Sequence, residues 1–221
     1  MDRYEILESI SQAKDRTLSE TNTELARVAY DIRRATQCHR TDETQHGVGR
    51  EDVTTLNERE KRAAEVWAKE RNMWTEIPDI FSFGVPGPSG SESDTYLSSD
   101  GYIYKTNNLM HCGDSIIKAL TKFIMYNTVF IDSAYTFIGF TGFSGRSVYP
   151  IVRQPYIRDA MPATRVEIDY FMAALDFSPI GDGAYEDGFF IVKDILPKNV
   201  LKIKEGDLYV IDAEILLKKQ P

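Results

Sequence analysis

Apolar residues recur at helical spacing near the start of the chain. Ile6, Leu7 and Ile10 form one group, and Leu25, Val28, Ala29 and Ile32 another. Steps of three and four residues put such groups on one face, so residues up to about 35 are predicted as one long or two shorter amphipathic helices. Residues 36–54 are polar, contain Gly47 and Gly49, and predict a loop. Thr55-Leu56-Asn57-Glu58 has the spacing of a capping box, in which the Thr side chain accepts from a first-turn amide and the Glu reaches back. A helix is therefore expected from Thr55 to about Trp74, burying Leu56, Ala63, Val66 and Trp67.

The pattern changes at Pro78, where Gly, Pro, Ser and aromatic residues replace the charged stretch. Ile80–Phe83 is a strand candidate, and Gly84 to Ser93 a turn. Asp94–Ser98 and Tyr102–Thr106 predict strands joined at Ser99-Asp100-Gly101. A helix is expected over about Asp114–Tyr126, with Ile116, Ile117, Leu120, Phe123 and Ile124 on its apolar side. Strands Thr136–Phe140 and Ser147–Arg153 follow. Thr164-Arg165-Val166-Glu167 is a second capping box and opens a helix to about Leu175. Beyond Tyr185, strands Phe189–Val192, Val200–Ile203 and Leu208–Ile211 alternate with turns. Helices, then strands around a helix, then another helix and short strands make an α+β chain.

Composition narrows the function classes. A formal net charge of -8 lacks the basic surface that a phosphate-backbone binder needs, so direct nucleic-acid binding is not expected. A nucleotide site needs only a few placed cations and backbone amides, and acidity does not oppose it. Only Cys38 and Cys112 occur, so there is no disulfide framework and a reducing compartment is expected. Met1-Asp2-Arg3-Tyr4-Glu5 lacks the apolar stretch of a signal peptide, and no apolar run is long enough for a bilayer. The expected location is cytoplasmic, with no membrane partner.

The chemistry concentrates near the C-terminus. In Asp194-Ile195-Leu196-Pro197-Lys198-Asn199 the Asn opens an apolar strand, a turn follows at Glu205-Gly206-Asp207, and a second strand runs into Asp212. Taken alone, Asp, Pro and Asn in a loop make an ordinary turn. A hairpin that delivers Asn199 and Asp212 to one edge has more to offer: two oxygen ligands there suit a Mg²⁺ that also holds phosphate oxygens.

Phe189 to Ile215 resembles the catalytic loop, metal hairpin and metal-binding Asp of protein kinases. There a catalytic Asp is followed after four residues by an Asn, then by a hairpin ending in Asp. Asp194, Asn199 and Asp212 fill those places. Upstream, Gly87-Pro88-Ser89-Gly90 lies where a kinase has its phosphate-covering glycine loop, and Lys105 matches the third-strand lysine. Gln154-Pro155-Tyr156-Ile157 resembles the hinge that meets adenine through backbone groups. The ordered set looks most like the small kinase-like domains of bacterial polyvalent (mobile-element) proteins, over about residues 78–215.

The resemblance implies a compact protein-kinase-like α+β fold with an N-terminal helical extension (1–77), an N-lobe antiparallel sheet plus one helix (78–153) and a reduced C-lobe (154–221). It implies ATP and Mg²⁺ as cofactors and γ-phosphoryl transfer to an unknown acceptor. Gly87, Gly90, Lys105, Gln154 and Tyr156 would bind nucleotide, and Asn199 and Asp212 would hold the metal. Asp194 would take or orient the acceptor's proton. Lys198 would stand in for the usual lysine, whose place is held by Leu196. The helix after the lysine strand carries no acidic residue, which leaves Asp212, Glu92 and Asp114 as carboxylate partners for Lys105. The alternative is a catalytically inactive pseudokinase serving as a nucleotide-binding or protein-interaction module. Because the sequence closes soon after Asp212, at least one of the N-terminal helices is expected to pack on the C-terminal lobe in place of further helices, the rival being that it packs on the N-lobe or drives dimerisation.

Overall fold

A computed structural model describes residues 20–43 and 53–218. They form two compact units, one of residues 20–124 and 135–155, the other of 125–134 and 156–218, within those limits.

The first unit opens with helices α1 (Glu20–Glu43) and α2 (Val53–Glu70). Its sheet contains β1 (Trp74–Thr75), β2 (Val85–Pro86), β3 (Ser93–Leu97), β4 (Tyr102–Asn107), β5 (Thr136–Phe143) and β6 (Ser147–Pro155). The order across its six strands is β1-β5-β6-β4-β3-β2, antiparallel except for the parallel pair β1–β5. Helix α3 (Ile116–Val129) runs between β4 and β5, and its last turn belongs to the second unit. A glycine lets β1 dock: a Cβ at Gly139 would sit 2.1 Å from the Met73 carbonyl oxygen, to which the Phe140 amide donates at 2.9 Å.

The α1 stripe is fully buried, with Leu25, Val28, Ala29 and Ile32 all at 0% exposure. It packs on α2 and β5, and α2 packs on β5 and β6. Trp67 is the anchor, meeting Phe137 and Phe140 edge-on at centroid distances of 6.1 and 6.3 Å. The Leu25–Ile32 stripe and the Trp67 face of α2 thus pack against the six-stranded sheet, the rival expectation for these two helices. Ile6, Leu7 and Ile10 lie outside the described residues.

Four local expectations change. The predicted loop at 36–54 begins later, because α1 continues to Glu43 before any glycine or proline interrupts it. The helix expected at Thr55 already starts at Val53, so Thr55 and Glu58 lie inside it; Glu58 lies 4.0 Å from Arg62 one turn on. Its inner face is also rotated: Asn57, Glu60, Ala64, Trp67 and Ala68 are buried, while Leu56 and Val66 are exposed. Ile80–Phe83 is part of a 3-10 turn, Ile77–Phe83, with Pro78 in its first turn. There Phe83 stacks on Tyr104 with centroids 4.7 Å apart, and Phe81 meets Tyr96 edge-on.

The second unit contains β7 (Met161–Pro162), α4 (Arg165–Ala174), β8 (Ser178–Gly181), β9 (Ala184–Glu186), β10 (Phe190–Lys193), β11 (Val200–Lys202), β12 (Leu208–Val210) and β13 (Glu214–Leu217). Two sheets result, ordered β13-β10-β9-β8 and β12-β11-β7. The capping box of α4 is present as predicted, with the Thr164 hydroxyl accepting from the Glu167 amide. Ile168, Met172, Phe190, Val192, Ile195 and Val200 are fully buried. The end of α3 and the turn after it cover the hairpin: the Tyr126 hydroxyl donates to the Val210 carbonyl at 2.5 Å, and residues 131–133 lie against β12. Among the described residues no helix is long and apolar enough to cross a membrane.

Candidate active site

In the second unit two strand ladders end beside the same short stretch of chain. In the β10–β13 ladder the last pair is Lys193 with Glu214, so Asp194 leaves one strand where Asp212-Ala213 enters the other. In the β11–β12 ladder Val200 faces Val210, and the Ile211 amide donates to the Asn199 carbonyl at 2.9 Å. Asp194, Asn199 and Asp212 are thereby gathered at the ends of two ladders. Asp194 and Asp212 are exposed, Asn199 is half-buried, and Lys198 is exposed in the 3-10 turn Pro197–Asn199.

The loop that carries Asp194 is tightly specified. Asp194 itself is left-handed, with φ of 61°, a conformation that Asp tolerates better than most residues. Its carbonyl accepts from the Leu196 amide and from Asn199 Nδ2, both at 2.9 Å. The donating amide nitrogen of Asn199 is thus used inside the loop, which leaves Oδ1 as the atom suited to a cation. Ile195 is fully buried, its amide donates to the Gly183 carbonyl, and its carbonyl accepts from Arg165 Nη1 at 3.1 Å. Arg165 is in turn paired with Asp182. Sequence reading missed Arg165, whose only signal was its place at the start of α4.

The first unit holds the other expected residues. Gly87 and Gly90 lie between β2 and β3, where Val85 pairs with Leu97 and Pro86 with Tyr96. The Gly87 amide donates to the Thr95 carbonyl at 2.8 Å, and a Cβ on Gly87 would lie 2.8 Å from Thr95 Oγ1, so a side chain there would have to displace that hydroxyl, which donates to the Pro88 carbonyl at 2.9 Å. Gly90 is open to solvent. Lys105 lies on β4 opposite Thr95 and Val152. Its Nζ donates to Gln154 Oε1 at 2.9 Å and to the Tyr135 hydroxyl at 3.3 Å, and stands 5.1 Å from the Tyr135 ring centre.

Gln154, read as a hinge residue, is therefore a buried β6 residue with its side chain turned to Lys105. Tyr156 follows the end of β6 and is 42% exposed. Tyr135 had no sequence signal of its own. Of the candidate carboxylates, Asp114 pairs with Lys61 at 2.6 Å, and Glu92 lies 3.7 Å from His111 Nδ1 and 3.8 Å from Lys122 Nζ.

The residues fit a hard cation shared with phosphate. Among the described residues no group of three or more His, Cys, Asp or Glu side chains could hold a metal by itself. Mg²⁺ does not ask for such a cage, since it is held by one or two protein oxygens together with phosphate and water. Asn199 Oδ1 and the exposed Asp212 carboxylate offer that number.

No curated protein matches the sequence. A family model described as "Serine/Threonine/Tyrosine Kinase found in polyvalent proteins" matches residues 57–219. The matched span runs from Asn57 in α2 through the glycine turn, the lysine strand and both ladders around Asp194, and the chain belongs to this kinase family of polyvalent proteins.

Proposed function

We propose that this chain binds ATP with Mg²⁺ and transfers the γ-phosphoryl group to a hydroxyl acceptor. The observation that carries the reading is the joint placement of Asp194, Asn199 and Asp212 at the ends of two strand ladders. Gly87 and Gly90 give a turn that backbone can use against phosphate. Lys105 neutralises phosphate charge, and Gln154 and Tyr135 keep its ammonium group aimed. The chain near Gln154 and Tyr156 meets the base.

Asn199 and Asp212 hold the Mg²⁺, which supplies charge neutralisation on the phosphate oxygens. Asp194 accepts the acceptor hydroxyl's proton as the new O–P bond forms and the bond to ADP breaks. Lys198, beside it in the loop, stabilises the charge of the transferring group. Phosphoryl transfer depends on positioning and charge more than on covalent chemistry, so this small set suffices.

One observation favours a second reading, binding without transfer: α3 carries Lys118 and Lys122 and no carboxylate of its own. The experiment is a nucleotide-dependent thermal shift, with and without Mg²⁺, followed by a measurement of ADP release. ATP at a hundredfold excess over its Kd should add about 2.7 kcal/mol of stability. Lys105→Met and Asp212→Asn should abolish that gain and leave the unliganded Tm near the parent's. Binding without ADP release selects the second reading, and no shift with any nucleotide defeats both.

A further inference from the structure

The buried face of α2 contains two residues that no amphipathic helix would choose for burial, Asn57 and Glu60, the latter 4% exposed. Both reach the start of α3. Ser115 precedes α3 and caps it, its Oγ accepting from the Lys118 amide at 3.2 Å. The same hydroxyl donates to Glu60 Oε2 at 2.7 Å, and the Ile117 amide donates to that oxygen at 3.2 Å. Asn57 Nδ2 donates to the Gly113 carbonyl at 2.8 Å, and Lys61 pairs with Asp114 at 2.6 Å. One turn of α2 thus grips residues 113–117. A carboxylate placed there also meets the positive end of the α3 dipole and amides that the helix leaves unpaired.

The grip has a fixed base and a consequence further on. One turn beyond it, Glu65 holds the β5–β6 turn through Ser144 and the Gly145 amide. In the other direction α3 carries Phe123, whose ring centre is 5.1 Å from that of Tyr135, the residue beneath Lys105. It also carries Lys122, 3.8 Å from Glu92 at the end of the glycine turn.

We propose that Glu60 is a positioning residue: by capping α3 from α2 it sets the register of that helix, and through Phe123 and Lys122 the placement of Lys105 and of the glycine turn. The consequence for nucleotide binding rests on the function proposed above, whereas the mechanical coupling does not.

The test is amide hydrogen exchange and NMR on the full chain without nucleotide, comparing the parent with Glu60→Ala, Glu60→Gln and Asn57→Ala. In Glu60→Ala the Ile117 and Lys118 amides should exchange roughly tenfold faster, the scale of a lost helix cap. The Asn108 amide, which donates to the Glu92 carbonyl, should also exchange faster, and the Tyr135 ring resonances should move. Amides of the β10–β13 ladder should not change. Glu60→Gln keeps an acceptor and should fall between. If Glu60→Ala does not fold, Asn57→Ala should give the same pattern at smaller size. A change confined to Ile117 and Lys118 overturns the proposal, because the cap would then be local. Where the parent binds ATP, Glu60→Ala should weaken Kd about tenfold; an unchanged Kd also overturns it. A parent that binds no nucleotide defeats the function reading and leaves exchange and ring shifts to decide this one.

Discussion

Asn199 has two tasks that separate by atom. Its Nδ2 holds the Asp194 carbonyl at 2.9 Å, and its Oδ1 is the proposed cation ligand. Asn199→Ala should cost about 1 kcal/mol of stability, the usual net worth of one hydrogen bond, and remove the Mg²⁺-dependent part of the ATP thermal shift. Equal shifts with and without Mg²⁺ in both proteins would count against the metal role. Glu167 carries a pH prediction. The Lys202 ammonium, then the Thr164 amide and hydroxyl, hold its carboxyl well below the ordinary glutamate value of 4.5, at about 2. The folded pKa lies below the unfolded one, so the stability it contributes is present above the unfolded value and is lost as pH falls through the folded one. Tm should therefore decline between about pH 4.5 and 2, and Glu167→Gln should flatten that part of the curve. Parallel curves for parent and variant would rule this out. Thr164→Ala, which removes the cap of α4, should cost about 1 kcal/mol at neutral pH, read from chemical denaturation.

At the scale of elements, Trp67 joins α2 to the sheet. Its ring packs on Phe137 and Phe140, its Nε1 donates to Asp31 Oδ2 at 2.9 Å, and the Arg71 guanidinium lies 4.6 Å from its ring centre. Trp67→Ala should cost about 3–5 kcal/mol and Trp67→Phe clearly less; similar losses for both would mean that the indole's hydrogen bond, not its volume, carries the energy. The alternating strands β3, β4, β5 and β6 and the capped helix α4 were legible because their own residues specify them. The short strands β7, β8 and β9 were not: Met161–Pro162 or Ala184–Glu186 has no alternation to read and becomes a strand only by pairing with a neighbour. The α2 face was misread because Asn57 and Glu60 are buried for their hydrogen bonds to residues 113–117, distant in sequence. The site divides the same way. Asp194, Asn199 and Asp212 were readable as a spaced motif, whereas the ladder that ends beside them needs Glu214–Leu217 as a strand, and Tyr135 and Arg165 act through folds of the chain that spacing does not encode.

At the scale of the whole molecule, the question is whether α1 is an appendage or a part of the fold. The family match begins at Asn57, beyond α1, which would suit an appendage. The packing says otherwise. Leu25, Val28, Ala29 and Ile32 are fully buried, as are Ala64 and Ala68 on α2 and Phe140 on β5, the two elements on which α1 packs. Asp31 also takes the Trp67 indole hydrogen and lies 3.7 Å from Arg71. Removing residues 1–52 would strip the outer layer from α2 and expose apolar side chains worth about 1.5–3 kcal/mol each when buried. At this chain length each kcal/mol is worth about 2–4 °C, so the truncated chain should lose roughly 10 °C or more in Tm, or become insoluble through the apolar face it uncovers. Because α2 carries Glu60, loosening it should also loosen α3, and the Ile117 amide should exchange faster in any soluble truncated protein. A truncated chain that stays monomeric and keeps both its Tm and its Ile117 protection would show that α1 is an appendage after all, and that α2 holds its place on the sheet through Trp67 and Glu65 alone.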